Sequence, residues 1–123
     1  MNIENQNNGT KNTTRIYIEA FEKEQQEGNM NFTVCSAYKT SKETNNELLN
    51  FYEIIWESDI EPIVKTCREN GINEFSISSN FSELISSLVS FEKLGCKVCG
   101  LTEANSRKYS ATAKIPAIKI EVL

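Results

Sequence analysis

Cys96 and Cys99 form a C-x-x-C, a spacing that in other chains clips zinc or cycles between dithiol and disulfide. Strand geometry opposes both uses here. Cys96-Lys97-Val98-Cys99-Gly100-Leu101 reads as extended chain, and positions i and i+3 of a strand point to opposite faces, so the thiols diverge. No second C-x-x-C accompanies it, histidine is absent, and Cys35 and Cys67 fall on other elements. We expect four reduced thiols acting as small apolar side chains, with no bound metal and no cofactor. Catalytic chemistry has little foundation. The usual proton shuttle at neutral pH is missing, no cysteine has an evident base, and nothing places the carboxylates of Glu57 and Asp59 in a cleft.

Two further stretches carry polar chemistry. Ser78-Ser79-Asn80-Phe81-Ser82 lies between an expected strand and an expected helix, where free N–H groups and the helix dipole favour anions. Ser79 and Asn80 are therefore candidate ligand contacts, with Arg107 or Lys108 able to swing over from a later loop; the basic and aromatic Arg107-Lys108-Tyr109 is also a candidate RNA or DNA contact, though three residues are few to carry it. The same residues are fully explained as a turn plus helix cap, and no glycine lets a phosphate approach the backbone. The charge map says more. From Glu43 to Val64 the charged residues are Glu43, Glu47, Glu53, Glu57, Asp59 and Glu61, all acidic. From Lys93 to Lys119 six bases face one acid, Glu103. The acidic stretch also holds Tyr52 and Trp56, so Glu47, Glu53, Trp56, Glu57, Asp59 and Glu61 are candidate partner contacts. The plainer account is a solvated face whose acids complement a helix dipole.

These residues need a scaffold, and Glu74 to Leu101 shows it best. Phe75 and Ile77 alternate with Glu74, Ser76 and Ser78, as in a strand with one buried face. Phe81, Leu84, Ile85, Leu88 and Phe91 then follow helical spacing, with Asn80 and Glu83 placed for a capping box and Gly95 for the stop. The extended run from Cys96 completes a βαβ unit. Elsewhere, a helix is expected from Thr14 to Gly28 and a strand over Phe32–Ala37. Lys39–Asn46 reads as loop, and the apolar run Leu48–Trp56 as a helix or turn buried on more than one side. A second helix opens at Ser58 or Asp59, with Pro62 in its first turn, and stops at Gly71. After a polar loop from Thr102 to Lys114, the strand Ile115–Leu123 returns antiparallel beside Cys96–Leu101, with Pro116 favouring a start or edge. The expected fold is α/β, with α+β as the alternative: a small mixed sheet with a central βαβ unit and helices packed on it.

The chain has 123 residues, enough for one domain with a real core. Residues 1–13 are rich in Asn and Gln and read as a flexible tail, leaving 14–123 as the domain. The net charge of −4 argues against nucleic-acid or membrane-surface binding, which needs clustered Lys and Arg. No apolar run approaches a membrane span and no signal peptide opens the chain, so a cytoplasmic location is expected.

The segments IIWESDIEPI, FSISSNFSELISSLVSFEKLGCKVCGLTEANSRKY and IPAIKI, within Leu48–Ile120, resemble a group of small uncharacterised proteins of Gram-positive bacteria, their phages and mobile elements. That resemblance implies no activity. It implies a setting of accessory genes in which small inhibitors are common. With the acidic segment, it leads to the expectation of a non-enzymatic protein-interaction module, an inhibitor of a host nucleic-acid machine of the anti-CRISPR kind. The alternative is a small-ligand or nucleotide-binding regulatory domain using Ser78–Ser82.

Overall fold

The computed structural model describes residues 16–28, 31–53, 55–106 and 113–123. Helices α1 (Ile16–Glu27) and α2 (Phe32–Glu43) precede strand β1 (Leu49–Phe51). Helix α3 (Glu57–Glu69), strand β2 (Glu74–Ile77), helix α4 (Leu84–Lys93) and the long strands β3 (Cys96–Asn105) and β4 (Lys114–Val122) follow. The sheet is mixed, in the order β1-β2-β4-β3, and the fold is α/β as expected.

Strand pairing refines the expected βαβ unit. β1 and β2 are adjacent and parallel, joined by α3. β2 and β3 are also parallel to each other, but β4 lies between them, antiparallel to both. The carboxy-terminal strand is therefore interior along Ile118–Glu121, and β3 takes the edge. Pro116 sits in the part of β4 beyond β2, where only β3 pairs with it, so its missing N–H costs little.

Alternation assigns the faces. Leu49, Phe75, Ile120 and Val98 form one cross-strand row, and Phe51, Ile77 and Ile118 lie in the next. Phe75 is the hub: its ring meets Phe51 edge-on at 5.3 Å and Phe91 of α4 at 5.4 Å. Ile60, Ile63, Val64 and Cys67 of α3 complete this core. Helix α4 presents Ser87 and Phe91 inward and leaves Ile85 exposed, so Ile85 is not part of the buried stripe.

Several expectations need correction. Phe32–Ala37 is the start of a helix, not a strand. The Asn31 side chain accepts from the Thr33 and Val34 N–H groups at 3.0 and 3.2 Å, and the buried set Val34, Ala37, Tyr38, Ser41 has helical spacing. The helix continues through Glu43, into the expected loop. Asn45 (φ 60°) then closes it, with Asn46 N–H bonding Ser41 O at 2.9 Å. Leu49–Phe51 is a strand whose three residues are all buried, which is why no period shows. Trp56 occupies the cap position of α3 with no side-chain bond, and Pro62 falls in the second turn. Asn80 is exposed and does not cap α4, which begins after Glu83. Gly71 does end α3: Ile72 N–H bonds Cys67 O at 2.8 Å.

Candidate interaction surface

The starts of α2 and α3 lie side by side. The Thr33 hydroxyl donates to Asp59 Oδ2 at 2.8 Å, and Asp59 N–H donates to Trp56 O at 2.8 Å. Two exposed aromatic residues stand next to this tie in the chain: Phe32 precedes Thr33, and Trp56 supplies the carbonyl that Asp59 bonds. Phe32 is 85% exposed and Trp56 66%, and they are the only exposed aromatic residues among those described. Isolated exposed apolar residues are ordinary; two large rings at one tied junction are a feature. A shallow groove lined by Thr33, Ser36, Thr40, Tyr52 and Glu53 runs between α2 and the segment after β1.

The acids divide into two groups. Glu53, Glu57 and Glu61 are exposed and Asp59 half-buried, all on or just before α3. Glu57 and Glu61 are one helical turn apart on the same face. Glu43 ends α2, about 16 Å from Phe32 along the helix axis, and Glu47 lies in the α2–β1 connection beyond it. Glu47 is thus separated from the other predicted contacts. Tyr52 also differs from expectation. Its hydroxyl is turned inward, donating to Asn105 O and lying 3.2 Å from Thr44 Oγ1, so only the ring borders the groove. Phe32 escaped sequence reasoning because a strand reading gave it a buried partner row. The Asn31 cap followed by a helical stripe was the signal available.

The other predicted positions do not converge on a site. Ser79 is buried, Asn80 is exposed, and Ser78 is used internally: its N–H bonds Phe51 O at 3.0 Å and its hydroxyl accepts from Asn50 Nδ2 at 2.8 Å. Arg107, Lys108 and Tyr109 lie outside the described residues. Lys114, beside that segment, donates to Asn105 Oδ1 at 2.7 Å. Asn105 itself donates to Thr44 O (2.8 Å) and Asn45 O (3.1 Å). This polar knot, missed from sequence, fixes the far end of the β3–β4 hairpin to the α2–β1 connection.

The cysteines are all free. Cys96 is buried and Cys99 exposed; Cys99 is the extra residue of a bulge between the pairs Val98–Ile120 and Gly100–Lys119. Burial, reinforced by nearby Cys96, pushes the Cys67 thiol up to about 12. Burial also raises Cys96, opposed by the positive charge of Arg68. Among the described residues, no three His, Cys, Asp or Glu side chains are grouped to hold a metal ion. A cleft of about 220 Å³ with a mixed polar and apolar lining opens beside Ile16, Tyr17, Leu48, Asn73, Glu74 and Glu121. Glu74 there is already paired with Lys119 at 3.0 Å, a hydrogen bond that raises the lysine's pKa.

Residues 33–122 match a protein family described as a domain of unknown function, DUF7698. The chain belongs to that family. The match runs from Thr33, whose hydroxyl ties α2 to α3, to the last residue of β4, and so takes in the whole sheet. No curated protein and no solved structure matches the chain. No helix among the described residues is long and apolar enough to cross a membrane.

Proposed function

We propose that this DUF7698 chain is a non-enzymatic protein-interaction domain that docks through the acidic, aromatic start of α3. The observation that carries the reading is the tied junction of Thr33 and Asp59, with the neighbouring residues Phe32 and Trp56 exposed and Glu53, Glu57 and Glu61 exposed on or just before α3. Exposed aromatics supply contact area at low entropic cost, and carboxylates give electrostatic steering toward a basic partner. The helix dipole accounts for acids in the first turn of α3; it does not account for a tryptophan left in water beside them.

A cytoplasmic setting fits this reading, and the sequence resemblance to small proteins of Gram-positive bacteria, phages and mobile elements, taken with the acidic segment, supports a specific class of partner. That partner is a nucleic-acid-handling protein, such as a CRISPR effector, whose phosphate-binding groove the carboxylates would fill. Inhibition by occupancy is the corresponding mechanism. The rival ligand-binding reading at Ser78–Ser82 has less support. Six residues separate β2 from α4, and the Ser78 hydroxyl is engaged with Asn50.

The test is an affinity capture from lysate with wild-type protein, a Glu53→Lys/Glu57→Lys/Glu61→Lys variant, and a Glu83→Lys/Glu92→Lys control on α4. Partners kept by wild type and control but lost by the first variant are expected. Identical partner lists from all three baits would sink the acidic-docking reading.

A further inference from the structure

We propose that the outer edge of β3, from Cys96 to Glu103, receives an extended segment of another protein as a fifth strand, with an apolar side chain beside Leu101 and a basic one beside Glu103. The phase of the antiparallel ladder shows which main-chain groups are open. Val122 N–H bonds Asn73 O at 2.7 Å, so Ile118 and Ile120 turn their main-chain groups toward β2, and Ala117 and Lys119 turn theirs toward β3. Ser106 N–H bonds Ala113 O at 2.9 Å and Leu123 N–H bonds Gly95 O at 3.2 Å, which gives the same phase from both ends of β3. Lys97, Gly100, Thr102 and Ala104 therefore face β4, while Cys96, Val98, Leu101 and Glu103 point N–H and C=O away from the sheet. Asn105 also points away, but its N–H donates to Asn46 Oδ1 at 2.8 Å and its C=O accepts from the Tyr52 hydroxyl. At the other edge, the Ser41 hydroxyl closes the outward groups of Asn50 in the same manner. The outward groups of Leu101 and Glu103 have no such partner among the described residues.

Leu101 extends the row of Phe51, Ile77 and Ile118 to this edge, yet it is 87% exposed, so the helix layer leaves it in water. A second copy fits the edge poorly. All four outward groups of Leu101 and Glu103 are bonded only when Leu101 of one copy faces Glu103 of the other, and the closed Asn105 then ends the ladder on both sides. Two paired residues a side are far fewer than the roughly 20 of a stable interface. A separate extended segment is not limited in this way and can continue past the bulge at Cys99 to Val98 and Cys96. Charge sets its direction. Glu103 is exposed at one end, on the helix-covered face, and Lys97 at the other, on the opposite face. An antiparallel strand that satisfies both carries its basic residue first and its acidic residue five positions later, with apolar residues between them beside Leu101 and Val98.

The experiment titrates the full chain into a capped, fluorescently labelled peptide, Lys-Thr-Val-Thr-Val-Glu-Val, and reads anisotropy at low salt. Saturable binding is expected. N-methylation of the first valine, whose N–H would bond Leu101, should weaken it about tenfold or more, whereas N-methylation of the second threonine, whose N–H faces away, should leave it unchanged. A peptide with Lys and Glu exchanged should bind about fivefold more weakly, and Glu103→Lys should bring that ratio to about one. Leu101→Ser should weaken both peptides; these two side chains are exposed, so the fold is kept. No saturable binding, equal effects of the two methylations, or a charge preference that survives Glu103→Lys would overturn the proposal. A chain that dimerises without peptide in sedimentation, and loses the dimer with Leu101→Ser, would assign the edge to a second copy instead. The docking surface at the start of α3 lies on another element, so none of these outcomes decides it.

Discussion

The hydroxyl of Ser41 on α2 bonds both main-chain groups of Asn50 on β1: it accepts from the N–H at 2.8 Å and donates to the C=O at 3.1 Å. Both residues are fully buried. Asn50 sits in a strand paired only with β2, so its outward main-chain groups would otherwise be orphaned or available to another chain. One side chain thereby closes an edge of the sheet. Asn50 also reaches inward, accepting from the Ser76 hydroxyl at 2.6 Å.

Ser41→Ala should therefore cost more than an ordinary surface change. It leaves a buried donor and a buried acceptor unsatisfied, about 1–3 kcal/mol for each group. Urea unfolding followed by circular dichroism measures it. A loss below about 0.5 kcal/mol, the range of surface substitutions, would show that water or a neighbour replaces the hydroxyl.

Gly95 gives a second stability prediction with an internal control. Gly28 and Gly95 both have positive φ, at 73° and 94°. A Cβ at Gly28 meets nothing within 4 Å, whereas at Gly95 it would lie 2.6 Å from the Arg68 guanidinium. That guanidinium holds Leu94 O at 2.6 Å and Leu123 O at 3.2 Å, joining α3 to the end of α4 and to the last strand. Each alanine should lose about 1 kcal/mol from left-handed backbone strain, and Gly95→Ala should lose more by displacing Arg68. Thermal unfolding of the two variants side by side decides it. Equal drops in melting temperature would mean that Arg68 moves aside without cost.

Burial of Cys67 predicts a falling stability in alkali. Its thiol has an ordinary value of 9.0 and is raised to about 12 in the fold. Above pH 9 the unfolded chain releases this proton while the folded chain retains it, so stability is intact below that point and declines as pH approaches 12. The slope from one such group is about 1.4 kcal/mol per pH unit. Cys67→Ala lowers stability at pH 7 by opening a small cavity but should flatten the alkaline decline. Parallel pH profiles for wild type and variant would show that another group governs it. At pH 8 a thiol reagent should label Cys99 quickly and Cys67 only on unfolding.

What the sequence made legible follows from water. Phe75 and Ile77 announced β2, and Ile118, Ile120 and Val122 announced β4, because their neighbours on the other face are more solvent-accessible or polar. Leu49–Phe51 gave no period because α2, the core and the Asn50–Ser76 contact bury it on every side. Over Phe32–Ser36 a period of two and a period of 3.6 both fit five residues; only the continuation to Tyr38 and Ser41 separates them. Strand order was hidden because β4 inserts between two strands that look contiguous in sequence. The same division holds at the surface. Glu53, Trp56, Glu57 and Glu61 are neighbours along the chain and were visible, whereas Phe32 joins them only through the packing of α2 on α3.

The electrostatic character of that junction can be tested without any partner. Trp56 precedes the first turn of α3, where the helix dipole contributes roughly half a positive charge. Glu57 and Asp59 in the first turn set two full negative charges against it, so the local potential should be negative. Caesium should then quench Trp56 fluorescence more effectively, and iodide less, than either does with a free tryptophan amide at the same ionic strength. Glu57→Gln/Glu61→Gln should bring both quenchers back toward the free-indole values while leaving the fold unchanged, because both side chains are exposed. Raising salt from about 0.01 to 1 M shortens the screening length from about 30 to 3 Å and should erase the difference between wild type and variant. Preferential quenching by iodide would mean that the dipole outweighs the carboxylates, and the surface would then suit an anion instead of a basic segment.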